Sequence, residues 1–379
     1  MSAEEASPKE GGKPAAQQTA LEERLIEMIK LNGPISIADY IADALGHPHD
    51  GYYNSANAIG ADGDFTTAPE ISQIFGELIG LWLVDAWQAM GAPQELNLIE
   101  LGPGRGVLMA DILRAAQVRP EFAKAADIWL LETSGRLRHE QQKRLRQDGR
   151  RIHWADKFSD IPAAPALIVA NEFFDCLPIR QFVRVKNGWR ERLIGLTPSE
   201  DALAFTLAAT PAAPDLPLPP ANDAQEGDIF EFSDAQREFM ADISRMLTTT
   251  DGRALIIDYG HIGAGLGDTL QAVRRHAFWP PLSEPGRADV TAHVDFAALA
   301  RIAIENGAAV HGPITQGVFL ERLGLAARVH ALSSGKTAEE AATIHSGAHR
   351  IAAPSQMGEI FKAICVSAPN LPCPDGFDL

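Results

Sequence analysis

The chain has 379 residues, of which 46% are apolar and 22% charged, a composition typical of a folded globular protein. Asp and Glu total 50 against 33 Lys and Arg, which gives a formal net charge of −17. This charge argues against nucleic-acid binding, which depends on clustered Lys and Arg, and it suits a cationic small molecule or a basic protein segment as partner.

The first twenty residues are small and polar, with several acidic side chains. They lack the apolar core of a secretory signal and are too acidic for a typical transit peptide, so we predict a disordered tail over residues 1–19. No apolar run reaches the ~18 residues that span a bilayer, so we expect no stable membrane insertion. These features predict a cytoplasmic protein.

Residues 20–92 are predicted to form a helical N-terminal extension. A helical pattern over residues 20–45 is interrupted at Asn32-Gly33-Pro34, and residues 50–65 read as an ordered loop. Residues 67–70 (TAPE) match a capping box and precede a broad apolar stripe at helical spacing.

From residue 93 to residue 379 short apolar strands alternate with helices. The predicted strands cover residues 96–101, 128–131, 151–154, 166–170, 253–257 and 361–366. This alternation is typical of βαβ units, so we predict a doubly wound α/β core with a mainly parallel sheet. An insertion at about residues 181–250 contains a hairpin pattern around Asn187-Gly188, and we predict that it is rich in β-structure.

A glycine loop follows the first predicted strand, with Glu100, Gly102, Gly104 and Gly106 in an acidic-x-GxGxG pattern. Glycine allows the sharp turn and close ligand approach that this position needs. The dinucleotide-binding fingerprint GxGxxG would require glycine at position 107, where this chain has Val107. This difference argues against a nicotinamide dehydrogenase. The pattern looks like the first motif of class I S-adenosylmethionine-dependent methyltransferases, so Glu100 is expected to bind the cofactor's ammonium group. The alternative is a turn that binds no ligand.

Two further acids are candidates for the same cofactor. Glu132 ends the next strand, where a carboxylate can accept both ribose hydroxyls; a solvent-exposed strand-end acid is the alternative. Asp64 and Asp258 are weaker candidates, for which a local turn role fits at least as well.

The acceptor is expected to lie beyond the fourth strand, where Asn171, Glu172 and Asp175 follow in the segment NEFFD. An amide and two carboxylates can hold an amine or a planar guanidinium. Because an arginine side chain is protonated at neutral pH, methyl transfer needs a geometry that localises electron density on one nitrogen. The alternative is a helix N-terminus whose acids favour the helix dipole.

The sequence lacks the motifs of a metal site and of a serine hydrolase. The three cysteines form no CxxC pair, and His47, His49 and His261 have no partners at metal-ligand spacing. The hydrolase motif GxSxG does not occur. We therefore expect neither a metal site nor a serine hydrolase.

Taken together, these segments resemble the MidA-like methyltransferase family, which includes the mitochondrial arginine methyltransferase that assists assembly of respiratory complex I. The matching stretches are residues 59–77, 100–106, 132–134, 171–178, 258–260, 267–273, 289–296 and 316–320. Cys176 and Gly135 depart from the pattern, where Ala and Pro are expected.

The resemblance implies a seven-strand methyltransferase core, S-adenosyl-L-methionine as cofactor, and symmetric dimethylation of an arginine on a complex I subunit. Without the resemblance, the residues themselves predict only an S-adenosylmethionine-dependent methyltransferase with an acidic acceptor site. A methyltransferase acting on a small molecule, and a non-catalytic assembly factor that keeps the fold, are the alternatives.

Overall fold

The computed structural model of the chain describes residues 18–54, 66–146, 152–263 and 265–378. Asp64, residues 1–17 of the predicted tail and most of the predicted loop at 50–65 lie outside these residues. Thr19, which we assigned to the tail, instead caps the first helix, because its Oγ1 accepts the Glu22 amide at 3.1 Å.

The helices of the described residues are α1 (Ala20–Asn32), α2 (Ile37–Gly46), α3 (Ala68–Ile71), α4 (Gln73–Ala89), α5 (Val107–Ala115), α6 (Pro120–Ala125), α7 (Gly135–Leu145), α8 (Asp234–Thr250), α9 (Phe296–Glu305), α10 (Gln316–Arg322), α11 (Leu325–Ser333), α12 (Ala338–Ala352) and α13 (Met357–Ile360). None of the helices in this part of the chain is both long and apolar enough to cross a bilayer.

The strands are β1 (Ile35–Ser36), β2 (Leu96–Leu101), β3 (Ala126–Leu131), β4 (Ile152–Ala155), β5 (Ala166–Asn171), β6 (Arg180–Val185), β7 (Gly188–Leu196), β8 (Leu203–Leu207), β9 (Ile229–Phe232), β10 (Gly252–His261), β11 (Gln271–Arg274), β12 (Ala277–Trp279), β13 (Asp289–Thr291), β14 (Val294–Asp295), β15 (Ala309–Thr315) and β16 (Phe361–Ser367). All six predicted core strands are present, with ends within a few residues of the predicted ones.

The main sheet has the strand order β15-β16-β10-β5-β2-β3-β4, with the short β14 beside the end of β10. Strands β10, β5, β2, β3 and β4 run parallel, and β16 is antiparallel to both of its neighbours. The chain leaves β2 for β3 and β4 on one side and returns to β5 on the other. The order therefore reverses between β2 and β5, where doubly wound sheets bind their ligands. This topology confirms the predicted fold class.

Two apolar layers cover the main sheet. Helices α4, α5, α10 and α12 pack on one face, and α8 and α9 pack on the other. Close contact between α4 and α5 depends on Gly80, where an added Cβ would lie 2.9 Å from the Cβ of Ala115. Helices α4 and α8 were assigned by sequence to the extension and the insertion, yet both pack against the core; the domain boundaries themselves stay a prediction.

A second sheet joins the N-terminal segment to the insertion. It has the order β1-β7-β6-β9, with β8 beside β7, and Ile35 of β1 pairs with Ile194 of β7. The β6–β7 pair is the predicted hairpin, and Gly188 in its turn has φ 113°. Helices α1 and α2 and the three-stranded sheet β12-β11-β13 share one apolar cluster with it.

The capping box predicted at residues 67–70 is wrong. Thr67 precedes α3 but its side chain makes no capping hydrogen bond, and α3 ends after four residues. The chain becomes extended at Ser72, whose Oγ caps α4 by accepting the Ile74 amide at 3.3 Å. Glu70 instead pairs with Arg105 of the glycine loop at 3.7 Å.

Candidate functional site

The glycine loop connects β2 to α5 at the point where the strand order reverses. Gly102, Gly104 and Gly106 have φ of 62°, 51° and 75°, in the left-handed region that other residues adopt only with strain. A Cβ at Gly102 would also lie 2.8 Å from Cδ2 of Phe173. The sequence therefore needs glycine here for backbone geometry as well as for close packing.

A cavity of about 320 Å³ lies beyond the carboxyl ends of β2, β3 and β5. Its size suits a small organic ligand. The predicted residues that line it are Glu100, Gly102, Gly104, Glu132, Asn171, Glu172 and Asp175. Gly106 lies at the N-terminus of α5 instead of in the lining, and Asp64 is outside the described residues. One cavity thus brings together both predicted sets, cofactor-binding and catalytic.

Glu100 is buried at the end of β2, with 3% of its surface exposed. Its Oε2 has no hydrogen-bond partner among the described residues. Burial raises the pKa of this carboxyl to about 8, and the nearby Glu132 charge adds to the effect. At neutral pH the group is therefore largely protonated until a cation approaches it.

Glu132 is held by the segment that follows β3. Its Oε1 accepts the Ser134 amide at 2.8 Å, and its Oε2 accepts the Gln141 side-chain amide at 3.2 Å. The same Gln141 nitrogen donates to the carbonyl oxygen of Gly104 at 2.7 Å. Gln141 therefore fixes the glycine loop relative to Glu132, a role that its place in a basic helix did not indicate.

Asn171 ends β5 on the other side of the reversal, and Glu172 follows it. Glu172 Oε1 accepts both the Asn171 side-chain amide and the Ala68 backbone amide, each at 3.1 Å. Its backbone has φ 52°, which is unusual for a residue other than glycine and is typical of functional sites. Burial, followed by the Asp175 charge, raises the pKa of the Glu172 carboxyl to about 8.

Asp258 supports the turn that carries these groups. Its Oδ2 accepts the backbone amides of Phe173, Phe174 and Asp175 at 2.9–3.2 Å. This is the local turn role that we weighed for Asp258. Burial raises the pKa of Asp258 to about 8, and burial with the charges of Asp258 and Asp289 raises the pKa of Asp175 well above its usual value.

Tyr53 and Asp289 are among the residues of the cavity wall that sequence reasoning did not identify as site residues. Tyr53, near the end of the described residues 18–54, donates its hydroxyl to Asp289 Oδ1 at 3.3 Å, and both line the cavity. Asp289 begins one of the stretches that carry the family resemblance, which was the available signal. For Tyr53 the sequence offered no comparable signal, apart from its position in a segment rich in Gly, Asn and Tyr.

The lining fits a cofactor that carries a cationic amine. Four buried oxygen atoms of the lining have no hydrogen-bond partner among the described residues: Glu100 Oε2, Asn171 Oδ1, Glu172 Oε2 and Asp175 Oδ1. Buried polar atoms are nearly always hydrogen-bonded, so these oxygens point to ligand groups that donate hydrogen bonds. No cluster of His, Cys, Asp and Glu in the described part of the chain has metal-binding geometry.

Comparison with known proteins agrees with this geometry. The chain is 35% identical over 372 residues to "Protein arginine methyltransferase NDUFAF7, mitochondrial" of Xenopus laevis, covering 92% of this chain and 84% of that protein. The human protein of the same name is 35% identical over 379 residues, covering 93% and 84%. A solved structure from Burkholderia thailandensis, bound to S-adenosyl-homocysteine, superposes with a TM-score of 0.80 at 27% identity, covering 95% of this chain and 93% of the other.

These relatives also correct one prediction. They are named as mitochondrial proteins, which contradicts the cytoplasmic location that we expected. The composition of the first twenty residues, on which that expectation rested, does not decide the compartment.

Residues 78–314 match the model of a family described as "Putative S-adenosyl-L-methionine-dependent methyltransferase". This span contains the glycine loop, Glu132, the NEFFD segment and Asp258, so it covers most of the cavity wall. Together with relatives that are about one-third identical over nearly the whole chain, the match confirms the resemblance stated above. The chain belongs to this family of S-adenosyl-L-methionine-dependent methyltransferases.

Proposed function

We propose that this chain methylates an arginine side chain of a protein acceptor. The observation that carries the proposal is a set of buried oxygens on Asn171, Glu172 and Asp175, beside the glycine loop, that have no hydrogen-bond partner among the described residues. A guanidinium offers several donors in a planar fork, which matches such a set of acceptors. The names of the curated relatives support the same reaction.

The cofactor is proposed to lie over the glycine loop. Glu100 binds its ammonium group, Glu132 accepts from its ribose hydroxyls, and the positive φ at Gly102 and Gly104 lets the backbone approach closely. When bound, S-adenosyl-L-methionine supplies a methyl group on a sulfonium that is already electrophilic. The protein's contribution is therefore alignment of the acceptor and exclusion of water.

Asn171, Glu172 and Asp175 are proposed to orient the acceptor. The guanidinium is charged in solution, so its entry ionises Glu172, whose carboxyl is largely protonated in the free site, and the Glu172 proton leaves to solvent. Formation of the carbon–nitrogen bond releases one proton from the guanidinium. Glu172, ionised by the acceptor and lying in the wall of the same cavity, accepts that proton.

The test is to replace Glu172 by Gln, which keeps the side chain's shape and removes its charge. We expect S-adenosylhomocysteine to bind with unchanged affinity in calorimetry, and methyl transfer to fall by about 10²-fold or more. Loss of cofactor affinity would instead assign Glu172 to the cofactor site. Retention of full transfer would remove it from the mechanism.

For the acceptor itself we propose a subunit of respiratory complex I, modified by symmetric dimethylation, as the family resemblance implies. Mass spectrometry of arginine methylation in cells with and without the gene is the direct measurement. The proposal expects one or a few sites to disappear with the gene and to return with the wild-type chain. If every site persists without the gene, the arginine-methylating function is wrong.

A further inference from the structure

The three-stranded sheet β12-β11-β13 has one face with an unusual composition. Val273 of β11 pairs with Phe278 of β12 on one side and with Asp289 of β13 on the other, and Gln271 pairs with Thr291. Cross-strand partners point to the same face of a sheet, as do residues two apart along a strand. These five side chains therefore share one face.

That face is turned toward the acceptor site. Asp289 lines the cavity and accepts the Tyr53 hydroxyl. The hydroxyl of Tyr259, which follows Asp258 in β10, bonds to Thr291 Oγ1 and accepts the Gln271 side-chain amide at 3.1 Å. The sheet thus forms a wall of the site, with its β12 edge farthest from the cavity.

The opposite face anchors this wall. Ala272 and Val290 are each 1% exposed in the apolar cluster beneath the sheet. Arg274 pairs with Glu284, and its guanidinium lies 4.9 Å from the centre of the Trp279 ring. These contacts therefore fix the hairpin β11–β12 through the face opposite Phe278.

Phe278 is 82% exposed on this anchored hairpin. The two residues of its turn, Arg275 and His276, have φ of 51° and 59°, a geometry for which Asn and Gly are normally selected. A strained turn thus presents a large aromatic ring to solvent on the face that contains Asp289. Exposed aromatics next to a site are typical anchors for a partner.

We propose that Phe278 binds the polypeptide segment that flanks the acceptor arginine; this inference rests on the proposed function. Phe278 lies two strand spacings from Asp289, roughly 10 Å. An extended chain advances about 3.3 Å per residue, so Phe278 contacts an apolar side chain about three residues from the arginine. The acceptor is accordingly an extended protein segment and not a free guanidine compound.

The test uses a synthetic peptide centred on the arginine that loses its methylation when the gene is deleted. For Phe278→Ala we expect KM for this peptide to rise about tenfold, as for loss of one anchor residue, with kcat and S-adenosylhomocysteine affinity unchanged. Phe278→Trp, which keeps a large aromatic ring at this position, is expected to have the same KM as the wild type. Leu31→Ala is the matched control, because Leu31 on α1 is equally exposed, at 82%, and belongs to another surface.

Several outcomes would overturn the inference. A KM within twofold of wild type would remove Phe278 from acceptor binding, and an equal loss of cofactor affinity would make its role structural. A wild-type dimer in sedimentation that Phe278→Ala dissociates would assign the ring to self-association. If deletion of the gene abolishes no methylation site, the proposed function fails first, and this inference falls with it.

Discussion

Glu100 offers the sharpest test of the cofactor site, because its protonation state must change when a cation binds. In the free protein its buried carboxyl has a pKa of about 8 and no hydrogen-bond partner for Oε2 among the described residues. An ammonium group brought against it favours the ionised form and lowers the pKa. Binding of the cofactor's amino acid part should therefore release a proton from the protein.

The size of the effect follows from the pKa. At pH 6.5 a group with a pKa of about 8 is roughly 97% protonated. The ligand's α-amino group is then also almost fully charged, because the pKa of an α-amino group lies well above 6.5. If Glu100 ionises on contact, about one proton leaves for each ligand bound. S-adenosylhomocysteine is the better probe, because it lacks the sulfonium charge and leaves the ammonium as its cation.

The assay is calorimetry at pH 6.5 in two buffers with different ionisation enthalpies. The difference in observed binding enthalpy gives the number of protons released. We expect about one for the wild type and none for Glu100→Gln. Asp85→Asn is the control: burial also raises the pKa of Asp85, but this residue of α4 does not line the cavity.

Two results would refute this reasoning. If the wild type releases no proton, Glu100 either stays protonated in the complex or is already ionised without ligand. If Glu100→Gln still releases about one proton, another carboxyl responds to the ammonium group, and Glu132 becomes the first candidate.

Two further predictions concern stability and the glycine loop. Three buried carboxyls, those of Glu100 and Glu172 in the cavity and of Asp258 behind it, have a pKa of about 8, far above the unfolded value, so the folded state binds more protons between about pH 4.5 and pH 8. The free energy of unfolding of the ligand-free protein, measured with urea, should accordingly fall as pH rises through this window; a rise would contradict these pKa values. Gly102→Ala places a Cβ 2.8 Å from Phe173 at a residue with φ 62°. We therefore expect the free energy of unfolding to fall by about 1–3 kcal/mol and S-adenosylhomocysteine to bind more weakly. Gly135→Ala is the control, because an added Cβ there meets open space, and it should change neither quantity.

The sequence predicted the main sheet because its strands are buried on both faces and read as short apolar runs. Val169 and Leu255, for example, are fully buried in β5 and β10. It also predicted which acids meet, because parallel strands that end at one edge bring Glu100, Glu132 and Glu172 together whatever the details of packing.

The sequence could not predict contacts between segments distant along the chain. Strand β1 joins the insertion's sheet through the pairing of Ile35 with Ile194, and two residues of strand pattern give no sign of that partner. The same holds for Tyr53 and Asp289, which meet across more than two hundred residues. The failed capping box at residue 67 has the same kind of cause, since Glu70 pairs with Arg105 of the glycine loop instead of closing the box.

The formal charge of −17 counts every acid as ionised. Burial raises the pKa of Glu100, Glu172 and Asp258 to about 8, so these three acids are largely protonated at pH 7 and the charge of the folded chain is less negative than the formal value. Binding of a cation by Glu100 and Glu172 therefore does not depend on charges that these two groups already carry in the free site. Instead, a cation that reaches the cavity ionises the carboxyl it touches and gains a charge-assisted bond, whereas a neutral or anionic ligand does not favour this ionisation.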